Sequence, residues 1–149
     1  MPNTIRTTAE NKDFRKLVVL LDQVLAELDG EDHSFYAQFD KLDNIKNVVV
    51  CYEDNEAAGC GAFKEFDADT VEIKRMFVHP DFRGKGIASA VLKELELWAG
   101  ENNYSSCVLE TGANNPKAIA LYRRSGYEII PNYGQYENVE TSVCLKKLI

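Results

Sequence analysis

"VEIKRMFVHPDFRGKGIASAVL", residues 71–92, is the stretch on which the fold turns. Its first eight residues, 71–78, read as a strand, and Pro80 cannot donate to a sheet ladder, so the strand stops near His79. Two glycines separated by a lysine then open a helix whose Ile87, Val91, Leu92, Leu95 and Trp98 share one face. A strand that feeds a glycine-rich turn at a helix start is a recurring anion site. Unpaired N–H groups and the positive end of the helix dipole converge there, and glycine lets a phosphate approach the backbone. Gly84 and Gly86 can take conformations closed to other residues, and Arg83 and Lys85 add mobile positive charge. The same residues would also serve as a solvated turn, so the glycines alone leave both roles open. No Gly-Lys-Ser/Thr follows, which excludes the Walker pattern, and the dinucleotide Gly-x-Gly-x-x-Gly is absent.

Working outward, residues 12–28 place Phe14, Leu17, Val18, Leu21, Val24, Leu25 and Leu28 at helical spacing, with Asn11 as N-cap and Gly30 as stop. A shorter helix is expected over 33–42. Strands are expected over 47–53 and 57–66, joined by a hairpin turn at Asp54-Asn55, with a further turn before the strand at 71–78. Beyond the glycine turn come a strand at 105–111 and a helix bracketed by Pro116 and Gly126. Two closing strands fall within 127–133 and 141–148. The order is helices, a three-stranded meander, then β-α-β-α-β-β: a mixed α/β architecture in one domain over residues 1–149.

The length suits a single well-packed core. Seventeen Lys and Arg against 24 Asp and Glu leave a net charge of −7. A general electrostatic pull toward nucleic acid or an anionic membrane is therefore not expected, and any anion site must be local. The first residues lack the apolar core of a signal peptide and no apolar run is long enough to span a bilayer, so a cytoplasmic location is expected. Cys51, Cys60, Cys107 and Cys144 are scattered through apolar stretches without a Cys-x-x-Cys pair, which reads as reduced core thiols. His33 and His79 lie far apart and form no metal-binding motif, so no metal is expected.

Arg83-Gly84-Lys85-Gly86-Ile87-Ala88 resembles the Arg/Gln-x-x-Gly-x-Gly/Ala motif of the GCN5-related N-acetyltransferase (GNAT) superfamily. Asn115, Ala118, Leu121, Tyr122, Gly126 and Tyr127 match a second signature of that family, Asn-x-x-Ala-x-x-Leu-Tyr-x-x-x-Gly-Phe/Tyr. The resemblance covers about residues 47–149 and implies the GNAT acyl-CoA N-acyltransferase fold, a central mixed sheet of six to seven strands flanked by helices. It implies that the turn holds the pyrophosphate of acetyl-coenzyme A through backbone N–H groups. It also implies two parallel strands splayed beside a bulge, with Met76, Phe77 and Val78 pairing with the pantetheine arm. The implied activity is transfer of an acetyl group to a primary amine of a small molecule or peptide. A non-catalytic acyl-coenzyme A-binding sensor or interaction module with the same fold is the alternative, and edge-strand pairing would allow a homodimer.

Acetyl transfer needs a neutral amine, a polarised carbonyl and a protonated leaving thiolate. The N–H of Phe77 or Val78 is the candidate donor to the thioester oxygen. Tyr122 matches the family's tyrosine that acts as general acid, although it could instead simply pack within its helix. Glu72 lies 11 residues before Arg83, as does the strand glutamate that acts as base in histone-acetylating members. A water chain in place of Glu72, or its pairing with a neighbouring charge, stays open. Asn115 could bond the pantetheine or fix its loop. Tyr133 and Tyr136, with Asp29, Glu31, Asp32, His33 and Tyr36, are candidates for the acceptor side. Lys74, Arg75, Lys117, Arg123 and Arg124 could reach the coenzyme phosphates or lie on the surface.

Overall fold

The computed structural model of the chain describes residues 2–29 and 45–149. Its elements run β1 (Asn3–Thr7), α1 (Lys12–Asp29), β2 (Asn47–Glu53), β3 (Glu56–Glu65), β4 (Thr70–Val78), α2 (Ile87–Glu101), β5 (Ser106–Gly112), α3 (Pro116–Arg124), β6 (Glu128–Ile130) and β7 (Ser142–Leu148). The strands form one seven-stranded sheet in the order β1-β2-β3-β4-β5-β7-β6. Only β4 and β5 run parallel; every other pair is antiparallel. The helix expected over 33–42, the stop at Gly30 and the candidates Glu31, Asp32, His33 and Tyr36 lie outside the described residues, and so does the side chain of Asp29.

Period-two alternation sends successive side chains of β2 to opposite faces. Val48 and Val50 pack with Phe14, Leu17, Val18 and Leu21 of α1, together with Cys60, Ala62 and Phe77. Val49 and Cys51 face the other way, toward Val91, Leu92 and Leu95 of α2 with Phe63, Val71 and Ile73. The sheet is thus covered on both sides, which is what lets it carry near-continuous apolar runs. All four cysteines are buried and none forms a disulfide.

Local signals account for several boundaries. The N–H of Phe14 donates to Asn11 Oδ1 at 2.9 Å, the expected cap of α1. Asp54 and Asn55 both have positive φ, 52° and 67°, the geometry a two-residue hairpin of the right twist demands.

The chain opens with a strand where no element was expected, and across α1 it adds a fourth antiparallel strand beside the expected three-stranded meander. β1, with sequence NTIRT, has no apolar alternation and is held by distant partners. Arg6 donates from Nε to Glu94 at 2.7 Å and from both terminal nitrogens to Glu101 at 2.8 Å, and its guanidinium lies 5.1 Å from the Trp98 ring centre.

Candidate active site

The parallel ladder between β4 and β5 has only three pairs, Thr70↔Ser106, Val71↔Cys107 and Glu72↔Val108. A buried hydroxyl pair, Thr70 with Ser106 at 2.7 Å, pins its closed end. Beyond Glu72 the strands part, β5 staying with β7 as far as Gly112 and β4 with β3 as far as Val78. Among the described residues, 73–78 therefore have one edge without a strand partner, which can accept an extended chain as an added strand.

The parting coincides with a bulge. Cys60 pairs with Phe77 and Ala62 with Lys74, so β4 carries one residue more than β3 between them. Arg75, at φ +60°, is the bulged residue in the left-handed region. An extra residue exchanges the two faces of a strand. Before the bulge Val71 and Ile73 pack toward α2; after it Met76 and Val78 do, and Phe77 turns to α1. Glu72, Lys74 and Arg75 are buried, and all three line one cleft with Leu21 and Leu25 of α1, Glu110, Asn115 and Tyr122. Among the described residues, no group of His, Cys, Asp or Glu could hold a metal ion.

At the far end of β4 the glycine turn leads into α2. Gly84 and Gly86 sit at φ +79° and +78°, and Gly86 is the N-cap. Among the described residues, no backbone carbonyl takes a backbone N–H from residues 84–89, leaving a row of donors at the positive end of a 15-residue helix. A β-carbon on either glycine would meet nothing within 4 Å, so the turn faces open space in which a phosphate fits against the backbone. Arg83 and Lys85 are exposed, and Arg83 Nε donates to Val78 O at 3.3 Å. Ile87 is buried against the core and Ala88 half-buried, so these two contribute backbone rather than side chain to the turn.

Glu72 is 2% exposed. Tyr133 donates its hydroxyl to Glu72 Oε2 at 2.7 Å, and Lys64 Nζ stands 3.8 Å from Oε1. Tyr133 thus reaches the site through Glu72, and burial followed by the charge of Glu72 holds its hydroxyl well above the usual phenol range. Tyr136 is buried beneath it, ring centres 5.9 Å apart.

Tyr122 is 7% exposed, and its ring meets Tyr127 edge-on at 5.9 Å. Burial, and then the charge of Glu110, pushes its hydroxyl above the ordinary value, so it stays protonated at neutral pH. The end of α3 fixes its backbone: Gly126 N–H donates to Arg123 O at 3.1 Å and Tyr127 N–H to Tyr122 O at 3.0 Å, a Schellman closure.

Asn115 is the N-cap of α3, its Oδ1 accepting from Ala118 N–H at 3.3 Å. Of the basic residues considered for the coenzyme phosphates, Lys117, Arg123 and Arg124 are exposed on α3. Arg75 is bonded instead to Asp22 of α1 at 2.7 Å. A local signal existed for the bulge, since Lys74 and Arg75 are consecutive charges that break the Val-Glu-Ile-Lys alternation. The Tyr133–Glu72 pairing had none.

The GNAT acetyltransferase family model matches residues 13–127. An IAA acetyltransferase of Azospirillum brasilense is 30% identical over 99% of this chain and 99% of its own. A Klebsiella pneumoniae protein assigned as an acyl-CoA N-acyltransferase has 26% identity and a TM-score of 0.83, over 99% of this chain and 97% of that one. A GNAT acetyltransferase of Elizabethkingia anophelis, solved with acetyl-CoA bound, shares the fold at 22% identity and a TM-score of 0.72, over 99% and 98% of the two chains. The chain belongs to the GNAT acetyltransferase family and is an acyltransferase of the acetyl-CoA-dependent class.

Proposed function

We propose that this protein transfers the acetyl group of acetyl-CoA to a primary amine by direct attack, with the coenzyme on the glycine turn and the reacting atoms in the cleft between β4 and β5. The observation that carries the proposal is the convergence of Glu72, Tyr122 and the open edge of β4 on one cleft, with β4 leading at its far end to a helix start whose N–H donors are unused. In this reading the backbone N–H groups of residues 84–88 hold the pyrophosphate, with Arg83 and Lys85 beside them. Met76, Phe77 and Val78 pair with the pantetheine arm. Asn115 sets the start of α3 with its side-chain oxygen, and its part in holding the arm falls to its amide N–H groups.

The chemistry follows from these groups. The N–H of Phe77 or Val78 donates to the thioester oxygen as negative charge develops there. The amine nitrogen attacks the carbonyl carbon; a C–N bond forms and the C–S bond breaks. Tyr122, kept protonated by burial, gives its proton to the leaving sulfur. Glu72 takes the proton that the amine must lose, and Tyr133 and Lys64 fix its orientation.

The test is acetyl-CoA-dependent release of free thiol in the presence of a panel of primary amines. Turnover with any of them supports transfer. Saturable coenzyme binding with no thiol release from any amine would favour the sensor.

A further inference from the structure

We propose that the acceptor carries a carboxylate and that Arg75 binds it, which makes the acceptor an amino acid or a closely related amino-carboxylate. This rests on the acetyl-transfer reading and narrows it. Arg75 holds a positive φ that a residue with a side chain rarely adopts, and strain of this kind persists where the surroundings fix it and clusters at ligand sites. Its side chain is only 5% exposed.

The guanidinium is half used. Nη1 donates to Asp22 Oδ1 at 2.7 Å, which ties the bulge to α1. Nε is buried without a hydrogen-bond partner, and Nη2 donates to no described residue. A buried donor left unpaired is costly and uncommon, so its presence in a cleft asks for an acceptor atom from outside the chain. The Nε–Nη2 edge is a planar fork that matches the two oxygens of a carboxylate.

The cleft's own carboxylates do not satisfy it. Glu72 accepts from Tyr133, and Glu110 accepts from Ser142 at 2.7 Å. Arg75 lines the same cleft as Glu72 and Tyr122. In an α-amino acid only one carbon separates carboxylate and amine, so a carboxylate held by Arg75 keeps its amine in the cleft that Glu72 and Tyr122 also line. A lysine at this position would offer a point charge without the fork.

The test compares α-amino acids with their carboxamides, pair by pair, by thiol release from acetyl-CoA with the full chain. The expected result is a kcat/KM that favours the free acid by about tenfold to a hundredfold in at least one pair, the range for a charge-assisted pair. That preference would stand even though the carboxamide's amine is the less protonated at neutral pH. In Arg75→Gln the ratio should fall to about one, whereas Asp22→Asn, which removes only the structural partner, should keep it. If Arg75→Gln does not fold, the wild-type ratio decides. Equal turnover of acid and carboxamide in every pair overturns the carboxylate assignment and leaves acetyl transfer standing. Failure to turn over either member of any pair, by a protein that binds acetyl-CoA, overturns the amino-carboxylate assignment, and acetyl transfer then stands or falls on the wider panel of primary amines.

Discussion

Between residues 83 and 89 the chain offers backbone to solvent, whereas at 72–75 it buries three charged side chains within one strand. The first region works through N–H donors that any sequence with glycine in the right places could present. Its Arg83 and Lys85 side chains are exposed, and a β-carbon added at Gly84 or Gly86 would touch nothing within 4 Å. The second works through side chains whose value depends on distant partners: Tyr133 for Glu72, Asp22 for Arg75. A generic cosubstrate suits the first kind of site. Discrimination among acceptors needs the second, because buried polar groups reject what cannot pair with them.

The largest effect should come from the group proposed to protonate the leaving sulfur. Tyr122→Phe is expected to lower kcat by about a hundredfold, within the range for loss of a general acid, while coenzyme affinity changes less than about threefold. The wild-type pH profile sharpens this. Because burial disfavours the phenolate, Tyr122 remains an acid above the ordinary tyrosine value, and no descending limb from it should appear below about pH 10. Unchanged turnover in Tyr122→Phe with a good acceptor would show that the ring only packs.

Glu72→Gln tests the buried side of the comparison. With Glu72 as the base, kcat should fall by about tenfold or more. An unchanged kcat would hand the proton to a water chain and leave Glu72 as an anchor for Tyr133.

Asn115→Ala should have the smallest effect. The loss of a helix cap costs about 1 kcal/mol of stability, read by thermal unfolding, with acetyl-CoA affinity within about twofold. A large affinity loss without destabilisation would make the amide of Asn115 a principal hold on the pantetheine.

What was legible in the sequence followed local rules. The span of β2, the glycine turn, the cap at Asn11 and the close of α3 at Gly126 each depend on residues within a few positions of one another. β1 was not legible, because NTIRT becomes a strand through pairing with β2 and through Arg6, whose partners Glu94 and Glu101 lie 88 and 95 residues away. The candidate site divided the same way. Its coenzyme half was a contiguous motif, and Glu72 and Tyr122 came from matched positions. The setting of Glu72 and the place of Arg75 on the α1 side required the sheet register and the bulge, neither of which spacing alone supplies.

The central claim is that the glycine turn is a coenzyme site, and calorimetric titration with acetyl-CoA of wild type and Gly86→Val tests it most directly. The substitution should leave a folded protein, since the added side chain enters open space and costs about 1–2 kcal/mol of backbone strain. Wild type should bind saturably at micromolar concentration, and the variant should lose about tenfold or more in affinity by blocking phosphate approach. Equal binding by both proteins, or none by wild type at millimolar coenzyme, would contradict the account.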